Sequence, residues 1–399
     1  MELAGIVGKP NVGKSTMFAA MTLAPVEIAG YPFTTIKPNR GITYLRIDCA
    51  CKELGVKDNP RNSKCVDGVR FIPVEIIDCP GIIREAHAGR GLGLKFLDEI
   101  RQASALMVVA DASGSTDPDG NPIKPGTGDP VEDVRIVEEE LDYWILGLLE
   151  EDWRRICRVV ESKVSKLEEE LARKLSGLRI SEEDIRSVIQ DLDLSSSKPS
   201  SWTREDLRGF IRGLRERSKP IIVAANKIDL PEAEDGVKRL RDAGYPVVPV
   251  SAEAERILRL AAEKGLIRYL PGDSGFEIID EGRLTAGQKK ALKLIEERVL
   301  EKWGSTGVQE VVNKAYFEEL RYIPVYPVED PEKLTDRDGN VLPDVYILPE
   351  GSTPRDLAYA IHTDLGKTFL YAIDARRKIR LGEDYKLKWG DIISIVAAG

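Results

Sequence analysis

Gly8, Gly13, Lys14 and Ser15 stand in the spacing Gly-x4-Gly-Lys-Ser, directly after an apolar run, Leu3 to Val7, and at the head of a helical stretch, Ser15 to Leu23. That spacing suits phosphate chemistry. Glycines let the N–H groups of residues 8 to 16, Val12 and Thr16 included, turn inward on phosphate oxygens at a helix N-terminus. Lys14 can reach the β- and γ-oxygens, and Ser15 can hold Mg²⁺. The implied ligand is a nucleoside triphosphate.

Asn226-Lys227-Ile228-Asp229 closes a second apolar run, Pro220 to Ala225, and bears on which base is bound. A carboxylate at 229 accepts from guanine N1–H and the exocyclic amine. Adenine has no donor at N1, so such a site rejects it by about 10⁴ or more. The stem of Lys227 can cover the base, Asn226 can tie this loop to the phosphate loop, and after a third apolar run Ser251-Ala252 can offer the Ala252 N–H to guanine O6. Between these segments, Val69 to Ile77 runs into Asp78-Cys-Pro-Gly81. Asp78 can hold Mg²⁺ through water and the Gly81 N–H can meet the γ-phosphate, releasing the loop when that phosphate is lost. Thr34 and Thr35, on a Pro-flanked segment, offer one more magnesium ligand. Each short motif alone fits an ordinary turn. Their order along one α/β pattern makes the set specific.

Gly8-Lys-Pro-Asn-Val-Gly-Lys-Ser-Thr, Tyr31-Pro-Phe-Thr-Thr and Asp78-Cys-Pro-Gly resemble the Obg-like translation-factor GTPases, and within them the YchF family. The resemblance implies an α/β P-loop G domain, a mostly parallel sheet flanked by helices, interrupted by a helical insertion and followed by a ubiquitin-like β-grasp TGS domain. It implies that Lys14 clamps phosphate, Ser15, Thr35 and Asp78 serve magnesium, and Gly81 senses the γ-phosphate. Thr35 is preferred to Thr34 because the family pattern ends there. Many YchF members read adenine through an altered fourth motif, whereas Asn226-Lys227-x-Asp229 is intact here and favours GTP over ATP. Ile82 stands where Ras-like enzymes carry the water-orienting glutamine, so intrinsic hydrolysis should be slow. Asn11 occupies the position from which some relatives hold a potassium ion. Val108 replaces a histidine found in several members, so that histidine's role does not transfer.

With 399 residues, 42% hydrophobic and 31% charged, the chain can bury two or three cores. No apolar run approaches the roughly 20 residues of a membrane span, so the cytoplasm is the expected setting. The expected segments are 1–113 and 219–321 for the G domain, 114–218 for the insertion and 322–399 for the TGS domain. Within the insertion, Val134 to Leu148 forms one stripe and Ile156, Val160, Val164, Leu167, Leu171 and Leu175 another, predicting an antiparallel hairpin. Arg204, Arg208, Arg212, Arg215 and Lys219 line one helix face, either a solvated or ion-paired row or a contact for RNA phosphates. Arg376-Arg377-Lys378-x-Arg380 adds a basic strip, and His362 fits a structural role. Five cysteines argue against a disulfide framework; Cys49, Cys51 and Cys65 supply three zinc ligands, with no fourth at a usual spacing. The combined expectation is a slow GTPase switch that binds GTP and GDP with Mg²⁺, and with K⁺ if Asn11 holds it. It would engage the ribosome, ribosomal RNA or tRNA through the insertion and TGS domain. The alternatives are an ATPase of the same family and a nucleotide-ordered RNA scaffold.

Overall fold

The computed structural model describes residues 3–23, 39–88, 95–178 and 180–398, and of 95–98 the backbone alone. Thr34 and Thr35 lie outside the described residues. Seven strands, β1 (Leu3–Val7), β2 (Arg40–Asp48), β3 (Lys64–Val66), β4 (Val69–Asp78), β5 (Ala103–Asp111), β6 (Ile221–Asn226) and β7 (Val247–Val250), form a sheet of order β2-β4-β1-β5-β6-β7, with β3 antiparallel on β4. The pairs from β4 through β7 are parallel. Every residue of β1 and β5 is buried. Burial along their whole length marks both as central strands covered on both faces. The carboxyl ends of β1, β4, β5 and β6 feed the loops that carry residues 8, 81, 111 and 229, which is where a parallel sheet presents its ligand loops.

Helix α1 (Lys14–Thr22) follows the first loop, and α2 (Ala50–Leu54) and α3 (Lys95–Gln102) precede β5. The insertion begins with α4 (Pro130–Glu150), which opens at Pro130 and is capped by Asp129 accepting from Val131 N. One face of this helix serves two cores. Val131, Val134, Ile136, Val137 and Leu141 pack with the sheet. Ile145, Leu146 and Leu149 pack with the remaining insertion helices, α5 (Trp153–Glu161), α6 (Leu167–Leu175), α7 (Glu182–Asp191) and α8 (Arg204–Ser218).

Two sequence expectations differ from this arrangement. The stripe from Ile156 to Leu175 is two helices, not one, because Ser162 turns its hydroxyl back onto the Arg158 and Val159 carbonyls and Lys163 adopts φ +58°. Val164, counted in the stripe, is 77% exposed. The basic row is also shorter than its spacing suggests. Arg215 is buried, paired with Asp142 at 2.8 Å and Glu138 at 3.2 Å, and Lys219 is buried with its ammonium on the Arg101 and Ala103 carbonyls. Arg204, Arg208 and Arg212 stay exposed. Two compact units form, residues 3–20, 39–41 and 75–311, and residues 21–23, 42–74 and 312–398. The insertion therefore belongs with the sheet through α4, and residues 42–74 group with the C-terminal segment.

After β6 come α9 (Ala233–Asp242), β7, α10 (Ala252–Glu263), the short ribbon β8 (Ile267–Arg268) and β9 (Glu277–Ile278), and α11 (Ala286–Ile295), which continues through a π turn to Trp303. In the second unit, β10 (Tyr322–Val328), β11 (Tyr346–Pro349), β12 (Phe369–Asp374), β13 (Ile379–Leu381) and β14 (Ile392–Ala397) form a sheet of order β11-β10-β14-β12-β13. The central pair β10/β14 is parallel and the rest antiparallel, a β-grasp, with Leu357 of the helix Pro354–Ile361 in its core. The C-terminal basic strip is largely ion-paired: Arg376 with Glu53, Arg377 with Asp374 at 2.6 Å and Lys378 with Glu332 at 3.0 Å, while Arg380 lies over the Tyr371 ring. His362 is exposed and accepts from Asp364 N at 3.2 Å, a capping role. Among the described residues no helix is long and apolar enough to cross a membrane.

Arg215 neutralises two carboxylates from inside the insertion. Arg215→Ala should destabilise the fold by about 3 kcal/mol, whereas the exposed Arg212→Ala should cost less than about 0.5 kcal/mol, as read by chemical denaturation.

Candidate nucleotide site

The phosphate loop leaves β1 at Gly8, whose φ of +149° and whose missing side chain bring it against β5; a Cβ there would stand 2.5 Å from the Val109 carbonyl oxygen. Gly13 has φ +101°, and its Cβ would stand 2.2 Å from Asn226 Nδ2. No other residue fits either place. Val12 is buried beneath the loop, while Ser15 and Thr16 open α1 with Ser15 exposed. Lys14 is buried, its Nζ donating to the Lys9 carbonyl at 2.7 Å. Burial pushes its ammonium down to about 8, against the attraction of Asp78.

Gly81 meets this lysine. A Cβ on Gly81 would lie 3.3 Å from Lys14 Nζ and 3.2 Å from Pro10 Cγ, so the sensing loop and the phosphate loop touch. The Ile82 N–H donates to the Gly8 carbonyl at 3.0 Å, and the Ile82 side chain is fully buried. It faces the core and offers water nothing. Asp78 is half-buried, its carboxyl raised by that burial while Lys14 opposes the shift. The hydroxyl of Ser15 and the carboxylate of Asp78 are hard oxygen donors of the kind magnesium takes, beside a cradle kept open by glycines.

The base loop is assembled by Asn226. Its Nδ2 donates to the Val12 carbonyl at 2.8 Å and its Oδ1 accepts from Ala252 N at 3.1 Å. Hence the Ala252 N–H, expected for guanine O6, is engaged by Asn226. Ser251 caps α10, accepting from Ala254 N, and donates its hydroxyl to Asp229 Oδ1 at 2.8 Å, which fixes the rotation of the carboxylate. Lys227 sits at φ +71° and sends its Nζ to Asp111 Oδ2 at 2.8 Å and Ser115 Oγ at 3.0 Å. Its stem is thereby stretched along the loop.

Three site residues carry no weight in the sequence pattern. Asp111, at the end of β5, gathers Lys227 and the hydroxyls of Ser113, Ser115 and Thr116. Burial would raise its carboxyl, but the Lys227 bond and the hydroxyls outweigh it and hold it below the ordinary range. Lys9, an unspecified position of the motif, is buried and reaches Asp133 at 2.6 Å and the Thr116 and Asp117 carbonyls. Asn11 donates from Nδ2 to the Gly120 carbonyl at 2.9 Å, so residues 116–120 are strapped to the phosphate loop. Glu140 of α4 is the third, its Oε1 accepting from Glu85 N at 2.6 Å and its Oε2 from His87 N at 2.9 Å, with Oε2 also 2.7 Å from His87 Nδ1. A carboxylate ending an apolar strand was the one visible signal, at Asp111.

The Gly8–Ser15 loop after β1, Asp78-Cys-Pro-Gly81 after β4 and Asn226-Lys-x-Asp229 after β6 define a P-loop GTPase-type domain, in a chain that also carries a β-grasp. Residues 3–141 match the 50S ribosome-binding GTPase model, 224–330 the G4 motif-containing domain of Obg-like YGR210-like GTPases, and 334–397 the TGS domain. An uncharacterized GTP-binding protein of Methanocaldococcus jannaschii is 52% identical over the full length of both chains. The ribosome-binding ATPase YchF of Bacillus subtilis is 32% identical over 70% of each. A crystal structure of a GTP binding protein from Pyrococcus horikoshii superposes with TM-score 0.78 at 43% identity, covering all of both chains. The chain belongs to the Obg-like GTPase family of the YchF type.

Asn226→Ala would leave a buried carbonyl and amide without their partner. A loss of about 2 kcal/mol of stability is expected, and loosening of both loops should lower nucleotide affinity by about tenfold or more in calorimetry, the equivalent of roughly 1.4 kcal/mol.

Proposed function

We propose that the chain is a guanine-nucleotide switch that hydrolyses GTP slowly and acts on the ribosome or its RNA. The observation that carries the base assignment is Asp229, held in one orientation by Ser251 in a loop that Asn226 ties to the phosphate loop. A fixed carboxylate rewards a purine with two adjacent donors and leaves adenine unmatched. Because the B. subtilis relative is named an ATPase, the competing reading is ATP at the same site.

Lys14 gathers phosphate charge and the Gly81 N–H meets the γ-phosphate, with Ser15, Asp78 and, from outside the described residues, Thr35 as the magnesium ligands. Bound Mg²⁺ would neutralise charge on the phosphate oxygens. Ile82, turned into the core, leaves the attacking water without a side chain to orient it, in keeping with a slow intrinsic rate. Asn11 has committed its amide nitrogen, so only its carbonyl oxygen is left to offer a potassium ion; turnover should then be faster in KCl than in NaCl. The switch has a mechanical reader: Glu140 latches residues 85 and 87, just after Gly81, to the first insertion helix. Arg84 pairs with Glu132 of the same helix, so loss of the γ-phosphate contact reaches α4 through two carboxylates.

Competition of ATP against labelled GTP separates the two base readings. GTP should win in the native chain, and Asp229→Ala should bring the two triphosphates to within about tenfold of each other; an unchanged preference overturns the assignment to Asp229. On the insertion, Arg204, Arg208 and Arg212 are the members of the basic row that stay exposed, and they are its remaining RNA-facing charge. Charge reversal of Arg208 and Arg212 should weaken ribosome co-sedimentation, most visibly at low salt, with nucleotide affinity unchanged.

A further inference from the structure

We propose that Cys49, Cys51, Asp58 and Cys65 form a tetrahedral site for a thiophilic divalent cation, zinc above all, which pins the irregular 55–63 loop in the second unit. The sequence shows three sulfur ligands and no fourth, because a carboxylate seven residues past Cys51 belongs to no standard zinc spacing. Folding supplies it. The four ligand atoms lie within 4.8 Å of one another. Cys51 and Cys65 sulfurs are 3.7 Å apart, and Cys49 Sγ is 3.1 Å from Asp58 Oδ2. A tetrahedron with zinc–sulfur bonds of about 2.3 Å has sulfur–sulfur edges of about 3.8 Å, so the cage already has the size of the ion.

Three segments converge to build it. Cys49 and Cys51 flank the start of α2, Asp58 comes from the loop, and Cys65 from β3 of the hairpin with β4. Cys49 and Cys51 are buried and Asp58 and Cys65 partly so. Thiols make weak hydrogen bonds, and a plain core would be better filled by branched aliphatics. Arg70, fully buried in β4, surrounds the cluster from behind. Its Nε points to Cys49 Sγ at 3.4 Å, its Nη2 donates to Asp58 Oδ2 at 2.9 Å and to the Leu342 carbonyl at 3.1 Å, and its Nη1 to Ser63 Oγ at 2.9 Å. Three thiolates and a carboxylate around a dication leave two negative charges. A guanidinium touching two of the four ligands offsets one of them and fixes their orientation, the task of an outer-sphere partner.

The loop so pinned has work to do. Residues 55–63 contain no helix or strand, yet Asn59 N and Arg61 N donate to the Val341 and Pro343 carbonyls at 3.1 and 2.7 Å, and Asn62 exchanges side-chain bonds with the Val345 backbone. Arg61 also pairs with Asp344 at 2.9 Å. Leu342 and Val345 are buried, but the 55–63 loop buries no apolar side chain of its own. A metal crosslink supplies the missing constraint.

The test uses the full-length chain. Elemental analysis of protein grown with zinc should give about one zinc per chain. Titration of the metal-stripped chain with Co²⁺ should give the intense visible bands and thiolate charge-transfer absorption of tetrahedral cobalt, bleached by added Zn²⁺. Cys51→Ser and Cys65→Ser should each cut bound zinc below about a tenth per chain, and stripping the native chain should speed amide exchange at 55–63 and 341–345. The wild-type cobalt spectrum reads the site even if a variant fails to fold. Less than about a tenth of a zinc per chain with no tetrahedral cobalt spectrum overturns the site, as does recovery of Cys51 and Cys65 as a disulfide in metal-free native protein.

Discussion

One side-chain amide holds the nucleotide site together. Asn226 reaches from the end of β6 to the Val12 carbonyl on one side and the Ala252 amide on the other, so the loops for phosphate and base become one frame. Gly13 must be glycine because that amide approaches it so closely. Asp229 then acquires a fixed position, since its partner Ser251 immediately precedes Ala252. Two hydrogen bonds to backbone groups, both buried, are worth more here than their usual 1 kcal/mol each, because breaking them orphans groups that water cannot reach.

Around this frame, buried charge does the tethering. Lys9 crosses from the phosphate loop to Asp133 of α4, Lys227 to Asp111, and Glu140 to the backbone just past Gly81. Each is partnered, as buried charges must be. Together they link the phosphate loop, the base loop and the segment after Gly81 to α4 or to the segment that precedes it. The insertion is consequently wired into the sheet. That is why its first helix carries two apolar patches for two different cores.

The legibility of the chain from sequence was uneven for definite reasons. The apolar runs Leu3 to Val7 and Pro220 to Ala225 announced their strands, because the signal is local. The helix stripe from Ile156 to Leu175 misled, since two helices in phase mimic one when the breaker is a serine and not a proline or glycine. The basic row was legible only as a face. Helical spacing places Arg215 and Lys219 on a face but says nothing of the acids and carbonyls that a neighbouring helix or strand brings to it.

What the amino-acid sequence determined by itself was therefore the set of loops and their chemistry: Gly8 to Ser15, Asp78 to Gly81, and Asn226 to Asp229, each fixed by residues adjacent in the chain and by the strand that precedes it. What only the tertiary structure decided was partnership across distance. The engagement of the Ala252 amide, the burial of Arg215, the latch at Glu140 and the meeting of Asp58 with three cysteines all join groups whose spacing encodes no signal. Hydrogen bonds and ion pairs act over a few ångströms of space, and only the folded sheet and its packed helices bring those ångströms about.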